Sequence, residues 1–317
     1  MSNKCQVLAP YDNHLIEEID MVDANHVEKA LKTAYELFTD QSKWLKKYER
    51  IAILEKVIKI MSGRVEELTK IAAEEGGKPY MDSKVEVNRA INGVKLAVEH
   101  LGNLGGTEIP MELTPSSDNR LAFTTREPIG VVASVSAFNH PLNLIIHQTI
   151  PAIAVGCPVI IKPANTTPRS CFAFVEILYE AGLPAAWCQA FICENDVAEK
   201  IVVDERVNYF SFIGSAKVGW YLRSKLAPGT RCALEHGGAA PVIIEEDAKI
   251  KDILAPLMKG GFYHAGQVCV SVQRIFVHES IAKELAKEMA TAAKKLIVGD
   301  PLKEETEIGP LILPRGR

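Results

Sequence analysis

Apolar positions recur at three- and four-residue steps from Asp23 to about Gly106. Val27, Ala30, Leu31, Ala34, Leu37 and Phe38 share one face of a first helix, for which Asp23 or Asn25 offers a cap. Further helices are predicted around residues 51–61, 65–75 and 84–101. Past Leu121 the texture changes. Continuous apolar, β-rich runs at 129–135, 158–161, 188–192, 207–212, 231–235 and 242–245 alternate with helices from Pro141, from Pro168, near Asp196 and from Ala216. Strands with no polar side, separated by helices, imply an α/β fold whose parallel sheet is covered on both faces. A helix at 250–265, a strand at 274–277 and a helix at 281–296 would begin a second α/β unit, with the boundary at Gly237-Gly238. The expected division is therefore residues 1–236, with a helical N-terminal segment, and residues 237–317.

Composition narrows the partners. A chain of 317 residues with 47% hydrophobic and 24% charged residues is long enough for two cores and too ordinary for disorder or a fibrous repeat. Its formal charge of −4 supplies no field for a phosphate backbone, so nucleic acid is not expected as a partner. The 7 cysteines are an odd number with no C-x2-C pair, which points to reduced thiols, a cytoplasmic protein and no metal site. The first twelve residues carry no secretory or transit signature. The longest apolar stretch, 142–161, is broken by His147, Gln148, Pro151, Gly156 and Pro158, so no membrane span is expected.

In a parallel sheet, ligands bind beyond the carboxyl ends of the strands. The residues there are Ser136-Ala137-Phe138-Asn139, Lys162-Pro163-Ala164-Asn165, Ile213-Gly214-Ser215 and Glu235-His236-Gly237-Gly238. Each has a plain reading beside a chemical one. Asn139, ahead of a proline-led helix, is an N-cap or an amide donor to an oxyanion. Lys162 is a surface lysine or a partner for phosphate and ribose oxygens. Gly214-Ser215, with Gly219 one turn on, is a simple helix start or a pyrophosphate cradle. Glu235 is a solvated strand-end acid or a base for water. Cys269, in Gly266-Gln267-Val268-Cys269, is a core thiol or a nucleophile. No G-x-G-x-x-G fingerprint occurs.

Order and spacing separate these readings. Arg126-Glu127-Pro128-Ile129-Gly130-Val131, Phe138-Asn139-His140-Pro141-Leu142 and Ile161-Lys162-Pro163-Ala164 are followed by Phe212-Ile213-Gly214-Ser215-Ala216-Lys217-Val218-Gly219. Leu234-Glu235-His236-Gly237-Gly238 and Gly266-Gln267-Val268-Cys269 complete the series, with Glu235 and Cys269 34 residues apart. From about Pro10 to its end the chain resembles the aldehyde dehydrogenase superfamily. The resemblance implies a Rossmann-like NAD(P)-binding domain over 1–236 and an incomplete catalytic domain over 237–317.

It also implies roles. Cys269 would attack an aldehyde, Asn139 and the Cys269 amide would hold the oxyanion, and Glu235 would activate water against the thioester. Phe138, Lys162, Ala164, Asn165, Gly214, Ser215 and Gly219 would line a site for NAD or NADP. Asn165 stands where relatives often carry a glutamate that repels a 2′-phosphate, so NADP is tolerated and Arg169 is placed to assist it. His140, Asn143, Leu144 and His147, with Val268 and Val270 beside the cysteine, would form the substrate pocket, whose polar members suit a small polar or anionic aldehyde. His236 and Ala239 depart from the usual Leu and Lys. Relatives continue beyond the point where this chain stops, into the rest of the catalytic domain and the hairpin used for homo-oligomer formation. The 317-residue chain by itself is accordingly expected to be poorly soluble or inactive. Two other readings stand beside aldehyde oxidation: a catalytically silent cofactor-binding or interaction module, and a thiol hydrolase using Cys269 and Glu235 without hydride transfer.

Overall fold

The computed structural model describes residues 4–313. The parts of the N-terminal and C-terminal readings that fall on residues 1–3 and 314–317 lie outside the described residues. The chain opens with a hairpin, β1 (Lys4–Leu8) and β2 (Leu15–Asp20), which the helical periodicity downstream did not announce. Both strands are largely exposed and only Val7 is fully buried, so neither carries a strong alternation. Four helices follow: α1 (Ala24–Thr39), α2 (Lys47–Gly63), α3 (Val65–Gly76) and α4 (Tyr80–Asn103). Asp23 caps α1, its Oδ1 accepting from His26 N–H at 2.9 Å. A short pair, β3 (Glu108–Ile109) and β4 (Ala122–Phe123), leads into the sheet.

The alternating region runs β5 (Val131–Val135), α5 (Asn143–Val155), β6 (Val159–Lys162), α6 (Arg169–Glu180), β7 (Cys188–Ala190), α7 (Asn195–Val203), β8 (Val207–Ile213), α8 (Ala216–Arg223) and β9 (Arg231–Glu235). Five parallel strands pair in the order β7-β6-β5-β8-β9, with β5 at the point where the order reverses. Both faces are dry. Val132, Val159 and Ile161 pack against α2, α4, α5 and α6, while Val131, Ala133 and Ile160 pack against Val27, Ala30, Leu31 and Ala34 of α1. Two-sided burial is the reason these strands read as unbroken apolar runs. Beyond them lie β10 (Val242–Ile244), α9 (Ile250–Phe262), β11 (Ile275–Val277) and α10 (Glu279–Ala293), built on a separate two-stranded parallel sheet and a small core of Ile244, Leu257 and Leu285.

One buried carboxylate ties the helical segment to the sheet domain. Glu75, on α3, is fully buried and accepts from the backbone N–H of Arg169 (2.8 Å), the N–H of Ser170 (2.8 Å) and the Ser170 hydroxyl (2.5 Å), capping α6 from outside. Burial pushes its pKa from 4.5 up to about 7, against the pull of those donors. The folded chain therefore binds more protons than the unfolded chain between these values, and stability falls as pH rises through that window. Glu75→Gln is expected to flatten this part of the stability–pH curve in denaturant titrations. Glu75→Ala, which orphans two helix N–H groups, is expected to cost about 1–3 kcal/mol.

Candidate active site

Register brings the carboxyl ends of the strands level. Val135 lies opposite Lys162 on one side and Phe212 on the other, and Ile213 lies opposite Glu235. A cleft of about 650 Å³ opens along this edge, at the reversal point of the sheet, within the size range of small-molecule and cofactor sites. Phe138, Asn139, His140, Leu144, Lys162, Ala164, Asn165, Gly214, Ser215, Glu235, Val268 and Cys269 all line it. Asn143, His147, Gly219 and Val270 do not: Asn143 is buried behind the α5 start, His147 is exposed beside Gly93 of α4, and Val270 is 69% exposed. Of the polar trio expected around the substrate, His140 lines this cleft.

Cys269 reaches the cleft from the second unit. Its loop lies so close to the strand end that a Cβ on Gly238 would stand 2.8 Å from the Cys269 carbonyl oxygen, which explains the glycine after Glu235. Sγ is 3.9 Å from Glu235 Oε1. Burial raises the thiol pKa and the Glu235 charge adds to it, while the N–H groups of Cys269 and Val270 pull the other way. Cys269 is half-buried and Glu235 is exposed, so the carboxylate stands in reach of solvent.

Asn139 is no helix cap, since α5 begins at Asn143 with Leu142 as its N-cap. Its Nδ2 donates to Gln267 O at 2.9 Å, one hydrogen of an amide that carries two. Gln267 in turn donates from Nε2 to His264 O (3.1 Å) and Pro310 O (3.3 Å) and accepts from Ile312 N–H (2.9 Å), which makes it the hub beneath the cysteine. Just before it, His264 and Ala265 hold left-handed conformations (φ 48° and 53°), and His264 is fully buried with neither ring nitrogen bonded. Non-glycine residues held there cost roughly 1–3 kcal/mol each. Residue types alone signalled none of this.

At the other end of the cleft, Lys162 is 8% exposed, which removes the surface-lysine reading. Burial lowers its pKa, while Cys193, Cys5 and Glu194 oppose the shift. Ser215 caps α8, with its Oγ accepting from Val218 N–H at 3.4 Å. Arg169 does not serve as expected. Its guanidinium is engaged by Glu74 (2.7 Å) and Glu17 (3.2 Å), and it does not line the cleft. Ser136 Oγ, Asn139 Oδ1, Asn165 Oδ1 and His236 Nε2 belong to residues that line the cleft, but these atoms are themselves closed to solvent and have no hydrogen-bond partner. Among the described residues, no three His, Cys, Asp or Glu side chains come together as a metal site.

A cysteine, a carboxylate and an amide thus meet at the reversal point of a doubly wound parallel sheet, where α/β proteins bind ligands. The profile of the Aldehyde dehydrogenase family matches residues 1–316, and the chain belongs to that family. It is 36% identical over 312 residues to the 3-sulfolactaldehyde dehydrogenase of Priestia aryabhattai, covering 98% of this chain and 65% of the relative. To the lactaldehyde dehydrogenase of Methanocaldococcus jannaschii it is 38% identical over 311 residues, covering 96% and 65%. Among solved structures it superimposes with a TM-score of 0.92 on glyceraldehyde-3-phosphate dehydrogenase GapN of M. jannaschii complexed with NADP, at 36% identity, covering 98% of this chain and 68% of that one. Aldehyde dehydrogenase 21 of Physcomitrella patens, in complex with the reaction product succinate, gives the same TM-score at 33% identity, with 98% and 65% covered. The chain thus spans about 65% of the length of the curated relatives it matches. Among the described residues, no helix is long and apolar enough to cross a membrane.

The thiol–carboxylate contact has a direct readout. Iodoacetamide labelling of Cys269, followed by peptide mass, is expected to rise with pH to a midpoint above the ordinary 9.0. Glu235→Gln is expected to lower that midpoint, because it removes a negative charge that opposes the thiolate. An unchanged midpoint would mean that the two groups do not sense each other.

Proposed function

We propose that this chain carries the chemistry of an NAD(P)-dependent aldehyde dehydrogenase that oxidises a small polar aldehyde to its acid. The observation that carries the reading is Cys269 Sγ lying 3.9 Å from Glu235 Oε1 in the cleft that also holds the Asn139 amide and the buried Lys162. Sγ, its proton released to solvent, adds to the aldehyde carbon and forms a thiohemiacetal, a step suited to sulfur because the bond forms reversibly. Asn139 Nδ2–H and the Cys269 N–H hold the oxygen as charge develops; one such donor is typically worth about 3 kcal/mol. When bound in the cleft, a nicotinamide cofactor would supply the acceptor for the hydride that leaves the former aldehyde carbon. Collapse of the thiohemiacetal leaves a thioester on Cys269. Glu235, exposed and beside the sulfur, takes a proton from the water that attacks the thioester, and the acid leaves as Cys269 regains its proton.

Lys162 and Asn165 are the residues that would hold the ribose end of the cofactor, and Ser215 at the start of α8 stands where a pyrophosphate would lie. Asn165 stands in place of a carboxylate, Arg169 is committed to Glu17 and Glu74, and Lys162 is the cation lining the cleft, which supports use of either NAD or NADP. The names of the relatives, with aldehydes bearing a hydroxyl or a sulfonate, support a small polar substrate. All 7 cysteines are free, in keeping with the reducing cytoplasm in which we place the protein.

One feature favours a second reading, a cofactor-binding module without turnover. Among the described residues the second sheet has two strands, and Ile243 and Phe276 on it are 75% and 56% exposed. Nicotinamide reduction with lactaldehyde, 3-sulfolactaldehyde and succinic semialdehyde, set against hexanal, tests both. In the chain extended to the length of its relatives, reduced cofactor is expected with the polar aldehydes and none with Cys269→Ala. Cofactor binding with no reduction by any aldehyde would favour the module, and faster turnover of hexanal would reject the polar substrate.

A further inference from the structure

We propose that Lys78 and Glu86, a fully buried ion pair outside the cleft, are positioning residues that fix Asn139 for its work on the oxyanion; this rests on the function proposed above. Both side chains are 0% exposed. Desolvating two charges consumes most of what their attraction returns, so stability alone is a weak reason for such a pair. What it holds is more informative. An ammonium has three hydrogens, and Lys78 Nζ meets three acceptors: the Glu86 carboxylate, the Asn139 backbone oxygen at 3.2 Å and His140 Nδ1 at 3.1 Å. The last contact requires His140 to be neutral with its proton on Nε2, and burial beside Lys78 holds its pKa down, to about 4. Its ring also stacks on Tyr263, centroids 5.9 Å apart.

Glu86 completes the clamp from the other side. Its Oε1 accepts from the N–H of Leu142 at 2.9 Å and of Asn143 at 3.0 Å, the free donors at the start of α5. One ion pair thus grips the segment from Asn139 to Asn143 at both ends, the cation on carbonyl and imidazole and the anion on two amides. The Asn139 side chain has a single bond of its own, to the Gln267 carbonyl. With that one restraint, the aim of the amide depends on where the backbone of residue 139 is held, and Lys78 holds it. An error of about 1 Å in such a group costs on the order of 100-fold in rate.

The test separates attack through an oxyanion from attack without one, and needs neither cofactor nor turnover. In acylation by p-nitrophenyl acetate, Sγ bonds to the carbonyl carbon, p-nitrophenolate leaves and the thiol proton passes to solvent. Alkylation by iodoacetamide displaces iodide at a saturated carbon and forms no oxyanion. The ratio of the two rates, read at Cys269 by peptide mass in the full chain, reports the oxyanion site. Lys78→Met is expected to lower the ratio about 10- to 100-fold, with alkylation within about twofold of the parent protein. Asn139→Ala is expected to lower it at least as far, and the double variant no further than Asn139→Ala, because both changes remove the same aim. Should Lys78→Met fail to fold, Glu86→Gln carries the same expectation, since it keeps an oxygen for the two amides and loses the carboxylate on Lys78. If Asn139→Ala lowers the ratio and the Lys78 or Glu86 variant leaves it unchanged, or if the losses multiply in the double variant, the positioning role is overturned and the proposed function stands. If Asn139→Ala itself leaves the ratio unchanged, both fall.

Discussion

The structure depends on a sheet that is apolar on both sides. Because β5 and β6 bury every residue but the half-buried Val135 against helices above and below, their register cannot slip by one without driving the pattern of one core into the other. A fixed register keeps the strand ends level, and Val135, Lys162, Phe212 and Glu235 fall along a single edge. The reversal of strand order at β5 then opens that edge, because the connections on its two sides run in opposite directions. A cleft at this place follows from the topology, whatever residues line it.

What turns the cleft into a candidate site is a second body of structure brought against it. The Cys269 loop approaches the strand end across a glycine, is anchored through Gln267 to Asn139 and to the Pro310–Ile312 segment, and passes through two left-handed residues to get there. Strain of that sort persists only where surrounding contacts over-determine the backbone, and it lies directly before the sulfur. The helical segment supplies the third side through Lys78 and Glu86, so three regions far apart in sequence meet around Asn139 and its neighbour.

The sequence was most legible where burial dictates pattern. Strands and helices from β5 to β9 fall within a few residues of their expected places, because continuous apolar runs and the switch to helical period leave little choice. The exposed hairpin β1–β2 was not legible, having one fully buried residue and no strong alternation. At the site, motif order placed Asn139, Lys162, Glu235 and Cys269 on one cleft, since all but the cysteine end or follow strands. The substrate trio was read along α5 as though it turned one face to the cleft; in the fold Asn143 is turned inward and His147 outward onto α4. Arg169 was assigned by nearness in sequence, and two glutamates from elsewhere hold it. Lys78, Glu86 and Gln267 have hydrogen-bond partners distant in sequence, which periodicity and spacing do not encode.

The central claim is that the sulfur of Cys269 carries the carbonyl through the reaction, and the most direct measurement is the mass of that sulfur's peptide after exposure to an aldehyde and an oxidised nicotinamide cofactor. In the Glu235→Gln protein, where hydrolysis is slowed, the account predicts an acyl group on Cys269, the aldehyde less two hydrogens, formed in step with reduced cofactor. Reduced cofactor without an adduct on Cys269, or an adduct on one of the other cysteines in its place, would contradict it.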